Sequence, residues 1–175
     1  MTAGLERGLG RVDDAREAPV AISWPGFDAD PLFADWELVG ENVLGERQWR
    51  EVFREYGAEA EASSIAAGWG GDHYAIFRHL RDGTYLMLTY TSWDTSEDAA
   101  EFSTAYQRVL ENKARGAQAK VLTRGKEVLI VECPLTASVD ALMEFNQRAV
   151  LNNRAHVVEA LYAPAPSADV ITAES

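Results

Sequence analysis

The chain has 175 residues and a formal charge of -12, with 28 acids against 16 Lys plus Arg. That field repels phosphate backbones and anionic lipid, so a nucleic-acid or membrane surface is excluded as the leading function. Hydrophobic residues make up 47%, enough for one globular core, and no run of 18 apolar residues is present to span a bilayer.

Residues 1–18 read as a flexible polar leader with no signal-peptide core. Residues 19–158 read as a single α+β domain, and 159–175 as a flexible tail. "PVAIS" at 19–23 is a short strand. "WPGFDADPLFADW" at 24–36 is a loop, and its aromatic residues need cover from the body of the protein. "WELVGENVLG" is a strand running into a turn. In "ERQWREVFREYG", Trp49, Val52, Phe53 and Tyr56 recur at helical spacing, and Gly57 is a natural stop. A second short helix covers 58–67 and ends at Gly68.

The period then changes to two. "HYAIFRHL" and "TYLMLTYTSW" flank "RDG", where Asp82-Gly83 supplies the left-handed positions of a hairpin. In the second strand Leu86, Leu88 and Tyr90 share one face; Met87, Thr89 and Thr91 share the other. "DTSEDAAEFSTAYQRVLENKARG" is the long helix. Its capping box is either Asp94 with Glu97 or Thr95 with Asp98. Ala99, Phe102, Ser103, Tyr106 and Leu110 form its inward stripe. "AKVLTR" and "KEVLIVEC" are a further strand pair ended by Pro134, and "TASVDALMEFNQRAVLN" is the last helix. The order predicts an α+β fold: a mostly antiparallel sheet of four or five strands, with about three principal helices packed on one face.

The densest chemistry lies in "GWGGDHY", residues 68–74. A phosphate-binding loop needs strand, then glycines, then a helix N-terminus. Here the order is helix, glycines, strand. Gly68, Trp69, Gly70 and Gly71 are therefore read as structural, a tight reversal with a left-handed position at the helix end, with Asp72 capping a backbone donor in the turn. Trp93 and Asp94 are read as the strand-to-helix corner.

No HExxH, GxSxG or other assembled catalytic motif is present. The weak catalytic candidates are Asp72 and His73, an imidazole beside a carboxylate, joined by Glu41 or Glu46 from the preceding turn. His73 and His79, six apart, are expected to share neither face nor proximity; His79 and His156 are read as solvated or terminal. Cys133 is the single cysteine, so no internal disulfide forms, and it reads as a buried, inert thiol. No metal site and no cofactor is expected. Trp24, Phe27 and Phe33 are the candidate binding residues. Arg108, Lys113, Arg115, Lys120, Arg124 and Lys126 form a basic stretch that either meets an acidic partner or decorates a surface.

"WELVGENVLGE" (36–46), "AAGWGGDHYAIF" (66–77) and "SWDTSEDAAEF" (92–102) together resemble a region of poorly characterised bacterial proteins that follows a zinc-metallopeptidase domain bearing an HExxH helix. The likeness covers roughly 19–145. It implies a non-catalytic companion region. The zinc site has no counterpart here, and His73 stands where similar sequences lead one to expect arginine. The expected function is thus a non-catalytic accessory or protein-binding domain, associated with a bacterial metallopeptidase; the alternative is a small enzyme with a site around Asp72 and His73. Expected partners are a neighbouring peptidase domain or, in place of a monomer, a second copy in a weak homodimer. A cytoplasmic protein and a fragment of a longer exported one both fit.

Overall fold

The computed structural model describes residues 19–56, 59–113 and 117–153. Five strands form an antiparallel sheet: β2 (Trp36–Asn42), β3 (Trp69–His79), β4 (Tyr85–Trp93), β5 (Ala117–Arg124) and β6 (Glu127–Pro134), in the spatial order β2-β3-β4-β6-β5. Between β2 and β3 come α1 (Gly45–Glu55) and α2 (Ala62–Ala67); α3 (Ser96–Asn112) follows β4, and α4 (Val139–Asn146) follows β6. β1 (Val20–Ser23) and β7 (Val150–Asn153) pair antiparallel as a separate two-stranded sheet. The fold is α+β.

The sheet is covered on both faces rather than one. Trp49, Phe53, Ile65, Phe102 and Tyr106 from α1, α2 and α3 pack with Trp93, Val128 and Ile130. On the other face Leu142, Met143 and Phe145 of α4, with Ile22 and Phe33, pack on Phe77, Leu86, Leu88, Tyr90, Leu129 and Val131. This double burial explains the unbroken apolar run in β6, because a strand covered on both sides has no solvent face to mark with polar residues. Full burial of each such side chain stabilises by roughly 1.5–3 kcal/mol relative to exposure.

Several local readings are refined. The capping box of α3 takes the second register: Thr95 Oγ1 accepts from Asp98 N–H at 3.1 Å, while the Asp98 carboxylate accepts from Thr95 N–H at 3.0 Å. At the β3–β4 turn only Gly83 has a positive φ (70°); Asp82 instead accepts from the N–H and hydroxyl of Thr84. Helix α2 is shorter than expected, and residues 150–152, expected to continue the last helix, instead belong to β7 because β1 offers them a pairing edge. Gly57 lies outside the described residues. A bulge in β2 between Leu38 and Gly40 shifts its register against β3. No helix among the described residues is long and apolar enough to cross a membrane.

Candidate functional site

The glycine-rich stretch is a junction where four elements meet. Gly68 closes α2 with φ -84°, so it is not the left-handed residue the sequence implied. Its requirement is space: a Cβ there would lie 2.4 Å from Asp98 Cγ, inside the capping box of α3. The Gly68 carbonyl also accepts the Asp94 N–H at 2.8 Å. Gly71, at φ 157°, lets β1 approach so closely that a Cβ would lie 2.5 Å from the Val20 carbonyl oxygen.

Asp72 is buried one residue later. Its carboxylate accepts the N–H groups of Leu44 (2.7 Å) and Gly45 (2.8 Å) and the indole N–H of Trp69 (2.7 Å). Leu44 and Gly45 open α1, so Asp72 satisfies orphan donors at the positive end of that helix from a distant strand. Burial raises its pKa above the ordinary carboxylate value, and the hydrogen bonds from Leu44, Gly45 and Trp69 oppose that rise. The carboxylate is thus occupied by the fold.

Strand alternation sends His73 to the opposite face from Asp72, so the two do not form a dyad. His73 Nδ1 donates to the Ile22 carbonyl at 2.6 Å, and its ring lies 4.9 Å from that of Trp24. Its Nε2 is 3.7 Å from Glu41 Oε2. Of the weak catalytic candidates, then, Glu41 and His73 come together and Asp72 is separate; Glu46 sits in the first turn of α1. His79 corrects an expectation, since an even offset of six on one continuous strand returns to the same face as His73. The two stay about 20 Å apart along the strand. His156 lies outside the described residues. Among the described residues no group of three or more His, Cys, Asp and Glu is placed to hold a metal ion.

Trp24, Phe27 and Phe33 close the second core. Phe33 is buried. Phe27 is half-buried and meets Phe33 and Phe77 edge-on at 5.2 and 4.8 Å. Trp24 is half-buried and donates its indole N–H to Asn146 Oδ1 at 2.9 Å. Asn146, which the sequence reading passed over, is fully buried and donates through Nδ2 to the carbonyls of Thr89 (3.0 Å) and Ile130 (3.1 Å).

The helical face contains a hollow that the sequence reading also missed. α1, α2 and α3 cover the end of the sheet near Trp93, while Ile76, Met87 and Glu132 lie side by side across β3, β4 and β6 beyond the end of α3. They line a cavity of about 440 Å³ with Tyr85, Lys113 and Cys133. Ile76 and Met87 are half-buried, and Tyr85, 62% exposed, stands at the rim. At the wall the buried Tyr106 hydroxyl donates to Glu132 Oε1 at 2.5 Å, and Lys113 Nζ donates to Glu132 Oε1 and Oε2 at 3.0 and 2.9 Å. Burial, then the adjoining carboxylate, holds the Tyr106 phenol protonated far above its ordinary range. The wall is therefore polar but internally neutral. Burial likewise raises the Cys133 thiol pKa. The sequence offers one signal for it, Glu132, a lone acid inside an apolar run.

The basic stretch follows the same rule. Arg108, Lys113, Lys120 and Arg124 pair with Glu61, Glu132, Asp140 and Glu127, and Arg115 lies outside the described residues. Among the described residues of this stretch, Lys126 is the one cation without such a pair.

The architecture and its sites define a two-faced α+β domain with a neutral, apolar-floored hollow on one side. The chain belongs to a family described as a domain of unknown function (DUF8575), whose model matches residues 35–143, more than half of its length. That span runs from the start of β2 into α4 and includes Asp72, Tyr106 and Glu132. No curated protein and no solved structure gives a significant match.

Proposed function

We propose that the protein is a non-catalytic accessory domain that binds a neighbouring polypeptide, an HExxH metallopeptidase domain being the partner its sequence resemblance points to. The observation that supports this reading is the hollow between β3, β4, β6 and the end of α3. Its floor is apolar, its volume suits one or two large side chains rather than a whole helix, and the charges at its wall are paired with each other. A neutral wall disfavours a charged ligand, which would have to break the Lys113–Glu132 pair. It suits an aliphatic or aromatic side chain presented by the partner. The test is calorimetric titration of the folded chain with the purified peptidase domain. Saturable binding that Met87→Glu abolishes supports the reading. Undiminished binding by the folded Met87→Glu protein contradicts it.

A second reading, a small enzyme, draws support from one geometry. His73 Nδ1 is fixed on the Ile22 carbonyl, which leaves Nε2 as the nitrogen facing Glu41. An imidazole so oriented can accept a proton. This reading requires that His73→Ala abolish a detected activity while the fold persists; full activity in that variant would end it.

A further inference from the structure

We propose that a second cavity, on the opposite face, binds a protonated primary amine carried on a small apolar body. The cavity measures about 380 Å³ and lies where the end of the β3–β4 hairpin meets the loop before β2 and the N-terminus of α4. That volume falls within the range of small-ligand sites. Leu32 and Leu142 supply apolar lining, Trp36 an aromatic wall, and Asp35, Asp82 and His79 the polar groups.

The polar groups are ordered for a cation that donates hydrogen bonds. The Asp82 carboxylate is held by the N–H of Thr84 at 3.0 Å and its hydroxyl at 2.7 Å, and those bonds lower its pKa below the ordinary value. The same oxygen accepts from His79 Nδ1 at 2.9 Å. In the neutral imidazole that contact places the proton on Nδ1 and the lone pair on Nε2. No partner for Nε2 is found among the described residues. The imidazole is braced against Trp36, with ring centroids 4.9 Å apart. Asp35 is engaged by Arg81 at 3.4 Å, but that pair is exposed on both sides, and such bridges contribute little and yield to competitors. An ammonium group entering the cavity thus finds a lone-pair nitrogen, two carboxylates and an indole face, while an anion meets two like charges. The net charge of -12 favours the approach of a cation.

Free amines and the N-termini of peptides share this chemistry. The experiment titrates the folded chain with phenethylammonium, with its uncharged counterpart phenethyl alcohol, and with a phenylalanyl tripeptide bearing a free or an acetylated N-terminus. The Trp36 indole and His79 imidazole resonances report binding. The proposal expects saturation by the ammonium with affinity about tenfold or more above that of the alcohol. It also expects loss of about tenfold in the folded Asp82→Asn variant. Binding of the free tripeptide that acetylation removes assigns the site to polypeptide N-termini as well; binding of the amine alone restricts it to free amines. Equal affinity for ammonium and alcohol, or no saturable shift at Trp36 and His79, overturns the proposal.

Discussion

The Asp72 carboxylate, near the start of β3, accepts the backbone N–H of Gly45, in the first turn of α1, at 2.8 Å. Twenty-seven positions separate the two residues. The bond carries the logic of the whole glycine-rich stretch, which anchors helices to the sheet. Asp72→Ala leaves the Leu44 and Gly45 N–H groups and the Trp69 indole without their acceptor. We expect a loss of about 3 kcal/mol in urea denaturation, from several charge-assisted bonds in a buried setting.

Asp72 and Asp82 should also shift stability with pH in opposite directions. The pKa of Asp72 is raised by burial, so its contribution is complete below the ordinary aspartate value of 3.8 and declines as pH rises through its higher folded value. That of Asp82 is lowered by the Thr84 hydrogen bonds; its contribution is complete above 3.8 and is lost as pH falls through the lower folded value. Denaturation from pH 3 to 6 should show the wild type losing ground to Asp72→Asn as pH rises, and gaining on Asp82→Asn over the acid end of that range.

The glycines should separate by steric context. Gly71→Ala drives a Cβ against the Val20 backbone at an unfavourable φ, and we expect it to cost about 2–4 kcal/mol. Gly83 also has a positive φ, yet nothing lies within 4 Å of its Cβ position, so Gly83→Ala should cost about 1 kcal/mol. Similar losses at both sites would contradict the close packing of β1 on β3.

Trp93 is buried, lies 4.4 Å from the Phe102 ring, and donates its indole N–H to Thr91 Oγ1 at 2.8 Å. Trp93→Ala should cost about 3–5 kcal/mol. A loss under about 1 kcal/mol by chemical denaturation would refute its burial.

How much of this was legible in the sequence depends on how local the cause is. The alternation of Leu86, Leu88 and Tyr90 against Met87, Thr89 and Thr91 appears unchanged in β4, because strand period is a local property. The meeting of Glu41 with His73 depends on a feature the sequence does not display. The bulge at Val39 moves Glu41 opposite Ala75; without it Glu41 would face Tyr74, on the other side of the sheet. No sequence period records a bulge. Asn146 was missed because an asparagine near a helix end looks like a terminus signal, whereas its role depends on carbonyls of β4 and β6. The sequence places Asp72 as an acceptor for a backbone donor in its own turn, whereas the backbone donors it takes lie 27 and 28 positions away.

The wall of the hollow gives a further test. Removing Glu132 strips the buried Tyr106 hydroxyl of its acceptor, while removing Lys113 leaves that bond in place. Glu132→Ala should therefore destabilise more than Lys113→Ala, by about 1–3 kcal/mol. Equal losses in thermal or chemical denaturation would show that the phenol does not depend on the carboxylate.

The proposed function requires a partner polypeptide to seat an apolar side chain in the hollow floored by Ile76 and Met87. The most direct measurement is the Met87 methyl resonance of the folded protein during titration with the peptidase domain. A saturable shift is expected at Met87 and at the Tyr85 ring, with the His73 and His79 imidazole signals unmoved. Binding that leaves Met87 and Tyr85 unshifted while His73 or His79 moves would contradict it.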